Sequence, residues 1–279
     1  MAKTRVLIAV KTYPTLSGKY DELVCTAGFL EDGTWIRIYP IPYRKLAFDQ
    51  RYKKWQWIEI DLTKNTSDFR KESYRPIDID QDIILREYIN TNNNWAARKA
   101  IALKNVKFNM SNLIAEAKNP QIGTSLAILK PSAILDFVWE PCDREWDAEK
   151  LKSVIAHQQM GSLFEAQATA KVFKVVHKVP YEFSYVFKTE DGKVRKLMIE
   201  DWELGMLYWN CLKKTKGNEQ EACELVKKKY WNEFVQKCDL YFILGTTKRF
   251  HNVGPNPFII IGLFHPRKDN KESHPSLFD

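Results

Sequence analysis

YDELVCTAGFLEDGTWIRIYPIPYRKLAFDQRYKKWQWIEIDL, residues 20–62, carries the pattern from which the fold is read. Two extended runs, 23–30 and 34–41, flank Asp32-Gly33, the residue pair most favoured in tight hairpin turns. Side chains alternate along the second run, so Ile36 and Ile38 share one face while Trp35, Arg37 and Tyr39 share the other. Between positions 35 and 57 stand six cations (Arg37, Arg44, Lys45, Arg51, Lys53, Lys54) and a single acid, Asp49, interleaved with seven aromatic residues. If the isoleucine face is the core, the other face is a stacking platform of the kind that holds unpaired bases.

A strand over 6–12 precedes this hairpin, and 55–64, WQWIEIDLTK, alternates as a fourth. Four strands with short connections predict a small barrel of the OB, SH3-like or PUA-like sort. Downstream, short helices are expected at 82–88, at 95–103 behind the turn TNNN, and at 111–118, with strands at 126–129 and 134–139. The acidic, prolyl segment EPCDREWDAEKLK at 140–152 sets the expected boundary. Residues 1–140 read as a β-rich nucleic-acid-binding region with short helices, and 141–279 as an α+β region that is the candidate catalytic part.

Beyond that boundary a helix is expected over 151–167. A second hairpin, 181–188 with 193–199, turns at Asp191-Gly192. Amphipathic helices over 201–213 and 219–236 follow, then two wholly apolar strands at 240–245 and 258–264. The class is α+β: a small N-terminal barrel-like region, then a mostly antiparallel sheet with helices.

A net charge of +8 favours an anionic partner, and nucleic acid is the commonest. DNA is placed ahead of RNA. No run is long and apolar enough for a membrane span, and the N-terminus reads as a strand rather than a signal peptide. Five widely spaced cysteines predict a reduced, cytoplasmic protein without a disulfide frame or structural zinc.

Missing motifs narrow the chemistry. The sequence has no P-loop, dinucleotide fingerprint, HExxH, zinc-deaminase signature or G-x-S-x-G elbow. No cofactor and no metal-binding motif are therefore expected, and no metal ligand is singled out, which leaves the chemistry to carboxylates and a few His, Lys or Asn side chains, or to a loosely held divalent metal. Glu200-Asp201-Trp202-Glu203 lies where a strand hands over to a helix, so Asp201 or Glu203 is a candidate base for water. Asp201 is equally well placed as a helix N-cap. The loop TTKRFHNVGPNP, 246–257, joins two core strands and concentrates polar groups where ligand sites form. There Lys248 and Arg249 are candidates for phosphate, and His251 and Asn252 for a base or leaving group.

His265-Pro266 and His274-Pro275-Ser276 are locally similar to the His-Pro-Ser loop of uracil-DNA glycosylases. The water-binding Asp motif that accompanies that loop is absent.

Together these features lead to the expectation of a nucleic-acid-binding, cofactor-free hydrolase of DNA-glycosylase type, acting on a flipped base, ordinary or modified. Asp201, Glu203, His251 and Asn252 are the catalytic candidates. Trp35, Arg37, Tyr39, Tyr43, Arg44, Lys45, Lys53, Lys54, Lys248 and Arg249 are the binding candidates. The alternatives are a non-catalytic PUA- or OB-like reader, a protein adaptor, and a metal-dependent nuclease built on the E-x-K spacing of Glu116 and Lys118.

Overall fold

Asp32-Gly33 forms the predicted turn. Gly33 sits at φ +87°, where a side chain would be strained, and Asp32 Oδ1 accepts the Thr34 N–H at 2.8 Å. The computed structural model describes residues 3–17, 21–149, 151–154, 156 and 175–268. The helix expected over 151–167 and the residue His274 lie largely or wholly outside them.

The first strands are β1 (Thr4–Lys11), β2 (Thr15–Ser17), β3 (Asp21–Phe29) and β4 (Trp35–Ile41). After them come β5 (Gln56–Ile60), β6 (Leu62–Lys64), β7 (Ser73–Pro76) and β8 (Ile84–Tyr88). They form one strongly curled half-barrel sheet in the order β6-β7-β4-β3-β1-β5-β8, with β2 added to β3. The run expected as one strand over 55–64 breaks at Asp61, whose N–H binds the Gln81 side chain and whose carbonyl takes the Ile77 N–H. Residues 82–88, expected as a helix, are instead the edge strand β8, pairing Ile84 and Leu85 with Glu59 and Ile58. The open edge of β5 supplies the backbone partners that override the helical preference of Leu, Arg and Glu.

Helix α1 (Asn92–Ala102) has left-handed φ at Asn93, Asn94 and Trp95, so regular helix begins only after Trp95. Then follow β9 (Val106–Lys107), α2 (Met110–Lys118), β10 (Leu126–Leu129) and β11 (Ala133–Pro141). The remainder is β12 (Tyr181–Lys188), β13 (Val194–Met198), α3 (Trp202–Lys214), α4 (Glu219–Lys227), β14 (Tyr241–Thr246) and β15 (Phe258–Phe264). A π-helical stretch, Lys228–Val235, continues α4. A second sheet runs β15-β14-β10-β9 and a third β11-β12-β13, antiparallel apart from the β10/β9 pair. The class is α+β, with the curled sheet leading, as the sequence predicts.

Alternation distributes the side chains among three cores. Val6 and Ile8 join Ile36, Ile38 and Ile58 inside the curl. Leu7, Ala9 and Val10 point the other way and pack on Leu126, Ile128, Ile243 and Ile261 of the second sheet. That sheet's opposite face, with Ala127, Phe242 and Leu244, meets Phe137, Phe183 and Tyr185 of the third sheet and the helices. Strands β1, β10 and β14 are covered on both faces, which is why they read as unbroken apolar runs. At roughly 1.5–3 kcal/mol per large aliphatic side chain, this two-sided burial is the main stabilising contribution. It also means that the outward face of the curled sheet is a layer interface.

Candidate functional site

Functional geometry centres on the junction between β13 and α3. Ile199 bridges to Ile260 of β15, and the Ile260 carbonyl accepts the Glu200 N–H at 2.8 Å. With the backbone clamped there, successive side chains diverge. Ile199 enters the core, Asp201 turns to the curled sheet, and Glu200 lines a cleft.

Asp201 is fully engaged. It caps α3 by accepting the Glu203 N–H at 3.4 Å, and Lys54 Nζ donates to its two oxygens at 2.8 and 3.0 Å. Glu203, largely exposed, takes Lys54 from the other side at 3.1 Å. Burial raises the Asp201 pKa, against the pull of the Lys54 charge and its hydrogen bonds. Lys54 is held charged because the two carboxylates outweigh its burial. Lys11 lies alongside, donating to Tyr43 Oη at 3.0 Å beneath Trp202, and burial followed by the Lys54 charge lowers it to about 8. This is a closed ionic lock between the two halves of the chain.

Glu200 shares with Asp201 a pocket beside Tyr13, and it also lines a cleft that Asp201 does not. The cleft, about 330 Å³, lies between the curled sheet and the β14–β15 hairpin. Arg37 and Tyr39 of β4 line it, with Asn65, Asp68 and Arg70 from the following loop and Thr246, Thr247 and Lys248 from the hairpin. Among the described residues the Glu200 carboxyl has no hydrogen bond or ion pair. Burial alone pushes its pKa up to about 7. Two residues that line the cleft, Arg37 and Thr247, each have a buried polar atom without a partner, Nε and Oγ1. Orphaned polar groups gathered in a cleft are unusual in a merely structural setting and mark a place for a polar ligand.

The cleft's frame is rigid. Arg70 Nε and Nη2 grip Asp68, which also accepts Ser73 Oγ at 2.7 Å, while Arg70 Nη1 donates to the Thr246 carbonyl. Burial works against the Asp68 anion, but these hydrogen bonds outweigh it and hold the group at about 2. Thr246 Oγ1 meets His251 Nδ1 at 2.8 Å, and burial plus the nearby Arg70 charge lower the histidine, keeping it neutral.

A family model described as Domain of unknown function (DUF8757) matches residues 106–279, more than half of the chain. The chain belongs to the DUF8757 family. A second model, Domain of unknown function (DUF8758), matches residues 2–104. No curated protein matches the chain. The β14–β15 hairpin and Glu200 lie in the DUF8757 part, whereas Arg37, Tyr39 and the 65–72 loop lie in the DUF8758 part, so the cleft is built by both.

The remaining candidates are dispersed. Arg37 is not on an open platform: it is buried under the second sheet, donating to Ser125 O and Oγ at 3.2 Å and to Cys25 Sγ at 3.5 Å. Trp35 stacks on Phe29 at 4.1 Å in the same layer. Tyr43 is core, and Arg44 is paired with Glu22. Lys45, Lys53, Lys248, Arg249 and Asn252 are exposed. Of the expected stacking face only Tyr39 and one edge of Arg37 reach the cleft. His265 is wedged between Phe234 and Trp95, and burial lowers it to about 4.

Glu116 is held by Lys107 at 2.7 and 2.9 Å and by Thr124 at 3.0 Å. Among the described residues no group of three or more His, Cys, Asp or Glu side chains is assembled for a metal, and no helix is long and apolar enough to cross a membrane.

Glu200 is the residue that the sequence reading passes over in favour of its neighbour. The usable signal is the cap itself: once Asp201 is committed to the helix start, the preceding side chain must point elsewhere.

Proposed function

We propose that the protein is a nucleic-acid hydrolase that cleaves the N-glycosidic bond of a nucleotide turned out of its stack, with Glu200 as the proton-handling group. The single observation that carries this reading is Glu200 itself: a carboxyl without a partner among the described residues, at a polar cleft, with a pKa raised to about 7. A group near neutrality both accepts and returns a proton, which is what general acid–base work requires. In the step envisaged, water oxygen bonds to C1′ as the C1′–N bond breaks and its electron pair leaves with the base. Glu200 takes the water's proton and delivers one to the departing base. In this reading Lys248, exposed at the mouth of the cleft, meets phosphate, Arg70 holds the frame through Asp68 and Thr246, and Tyr39 offers a ring to the nucleotide.

A second reading, a non-catalytic reader, is favoured by the locked Asp68–Arg70–Thr246 frame, since a rigid frame suits recognition as well as reaction. One assay separates the two. Oligonucleotides carrying natural and modified bases are incubated with the protein in EDTA, treated with alkali and sized. The hydrolase reading expects strand breaks at one base type, reduced about 10²–10⁴-fold in Glu200→Gln. Binding without breaks on any substrate supports the reader. Breaks that require magnesium indicate a nuclease.

A further inference from the structure

Beside the cleft, the loops 65–72 and 246–257 hold apolar side chains out in water. Phe69 is 55% exposed, Phe250 46% and Val253 76%. Phe69 does not hang on a loose loop. Its neighbours Asp68 and Arg70 are bonded to each other, and Arg70 is tied across to Thr246. Asn65 closes the turn by accepting the Ser67 N–H and Oγ, at 3.2 and 2.7 Å. The Phe69 ring rests 5.4 Å from His251, which braces it from below while leaving the ring open. Arg249 lies over the Phe250 ring at 5.2 Å.

Between Phe69 and the end of α2 runs a groove of about 430 Å³, lined by Lys71, Lys118, Asn119, His251 and Asn252 and sharing Arg70 with the cleft. Among the described residues no carboxylate lines it. Rigid exposed rings, cations without acids, and amide groups able to meet base edges are the elements of a single-strand binding surface. Membranes and apolar protein partners are less well matched, because neither uses the asparagines.

We propose that this rim binds single-stranded nucleic acid, with Phe69 and Phe250 stacking on bases and Lys71, Lys118, Lys248 and Arg249 meeting phosphates, and that it leads a strand toward the Glu200 cleft. The last clause rests on the hydrolase reading; the binding itself does not. The basic aromatic surface expected at 35–39 therefore has its counterpart 30 residues downstream and on the far hairpin.

The test is fluorescence anisotropy with a labelled single strand of about 12 nucleotides, over a range of salt. Phe69→Ala, at an exposed position, is expected to weaken binding roughly 5- to 150-fold, the worth of one stacked base. A Lys71→Ala/Lys118→Ala double variant is expected to lower the log–log salt slope by about 1.4. Circular dichroism melts confirm that both variants are folded. Wild-type affinity in both variants, or no salt-dependent binding by the wild type, overturns the proposal. Binding that responds as expected, without abasic product on any substrate, leaves the rim standing and removes the hydrolase reading. Product formation with both variants binding like wild type does the reverse.

Discussion

Replacing Glu200 by glutamine removes an ionisable carboxyl from the cleft while keeping its shape, and the stability consequence has a definite sign. The folded pKa is raised from 4.5 to about 7 by burial, and among the described residues no ion pair is made with the carboxyl to offset it. At about 1.36 kcal/mol per pH unit this corresponds to about 3 kcal/mol, and the partial exposure of the side chain discounts it to about 2. A carboxyl whose pKa rises on folding contributes stability in full below its unfolded value and loses that contribution as pH climbs through its folded value. Wild type should therefore lose about 2 kcal/mol relative to Glu200→Gln between about pH 4 and about pH 8.5. Urea unfolding of both proteins at the two pH values reads this directly, and taking the change in their difference cancels any pH-independent effect of the amide. A gain in stability accompanied by loss of function is the signature of a strained working group. A difference that stays constant with pH, or that favours wild type in alkali, would show that Glu200 has a partner and refute the reasoning.

Other predictions follow from the same geometry. Asp201→Ala removes both the α3 cap and one partner of a buried cation, so urea unfolding at neutral pH should show a loss of about 3 kcal/mol, with Glu203 limiting the damage. Asp68→Asn should cost a similar amount, about 3 kcal/mol, by leaving Arg70 buried beside a neutral group. Because the folded pKa of Asp68 lies at about 2, below the ordinary 3.8, the wild-type advantage is complete above 3.8 and should shrink as pH falls toward 2. Gly205→Ala would set a methyl 2.2 Å from the Tyr13 ring, whose hydroxyl binds Trp209 and the His177 carbonyl. Differential scanning calorimetry should show a Tm several degrees lower, from roughly 1–3 kcal/mol of overpacking.

Which features could be read in the sequence depends on how local their causes are. The Asp32-Gly33 and Asp191-Gly192 hairpins, the Asp201 cap and the ββααββ order of the second half each follow from adjacent residues or from a clear period. The edge strand Ile84–Tyr88 did not, because only the unpaired side of β5 makes it a strand. Arg37 carries the same lesson for function. Its place opposite Ile36 and Ile38 is legible, but the partner of that face, Ser125 just before β10, is 88 residues away. Phe69 was hidden for a different reason: one aromatic residue in a polar loop has no pattern, and its exposure depends on the Asp68–Arg70–Thr246 tie. Glu200 and Asp201 are chemically alike neighbours, separated in role only by the backbone clamp at Ile260.

Under the proposed mechanism Glu200 moves the proton when a glycosidic bond is hydrolysed in the cleft. The most direct test of this is the single-turnover rate of base release by wild type and Glu200→Gln across neutral pH, on whichever substrate yields abasic sites. Acting first as a base, Glu200 must be ionised, so the wild-type rate should rise with pH and level off above about 7. The glutamine variant should be slower by about 10²–10⁴-fold and lack that rise. Base release by Glu200→Gln at the wild-type rate, with the same pH profile, would contradict the account.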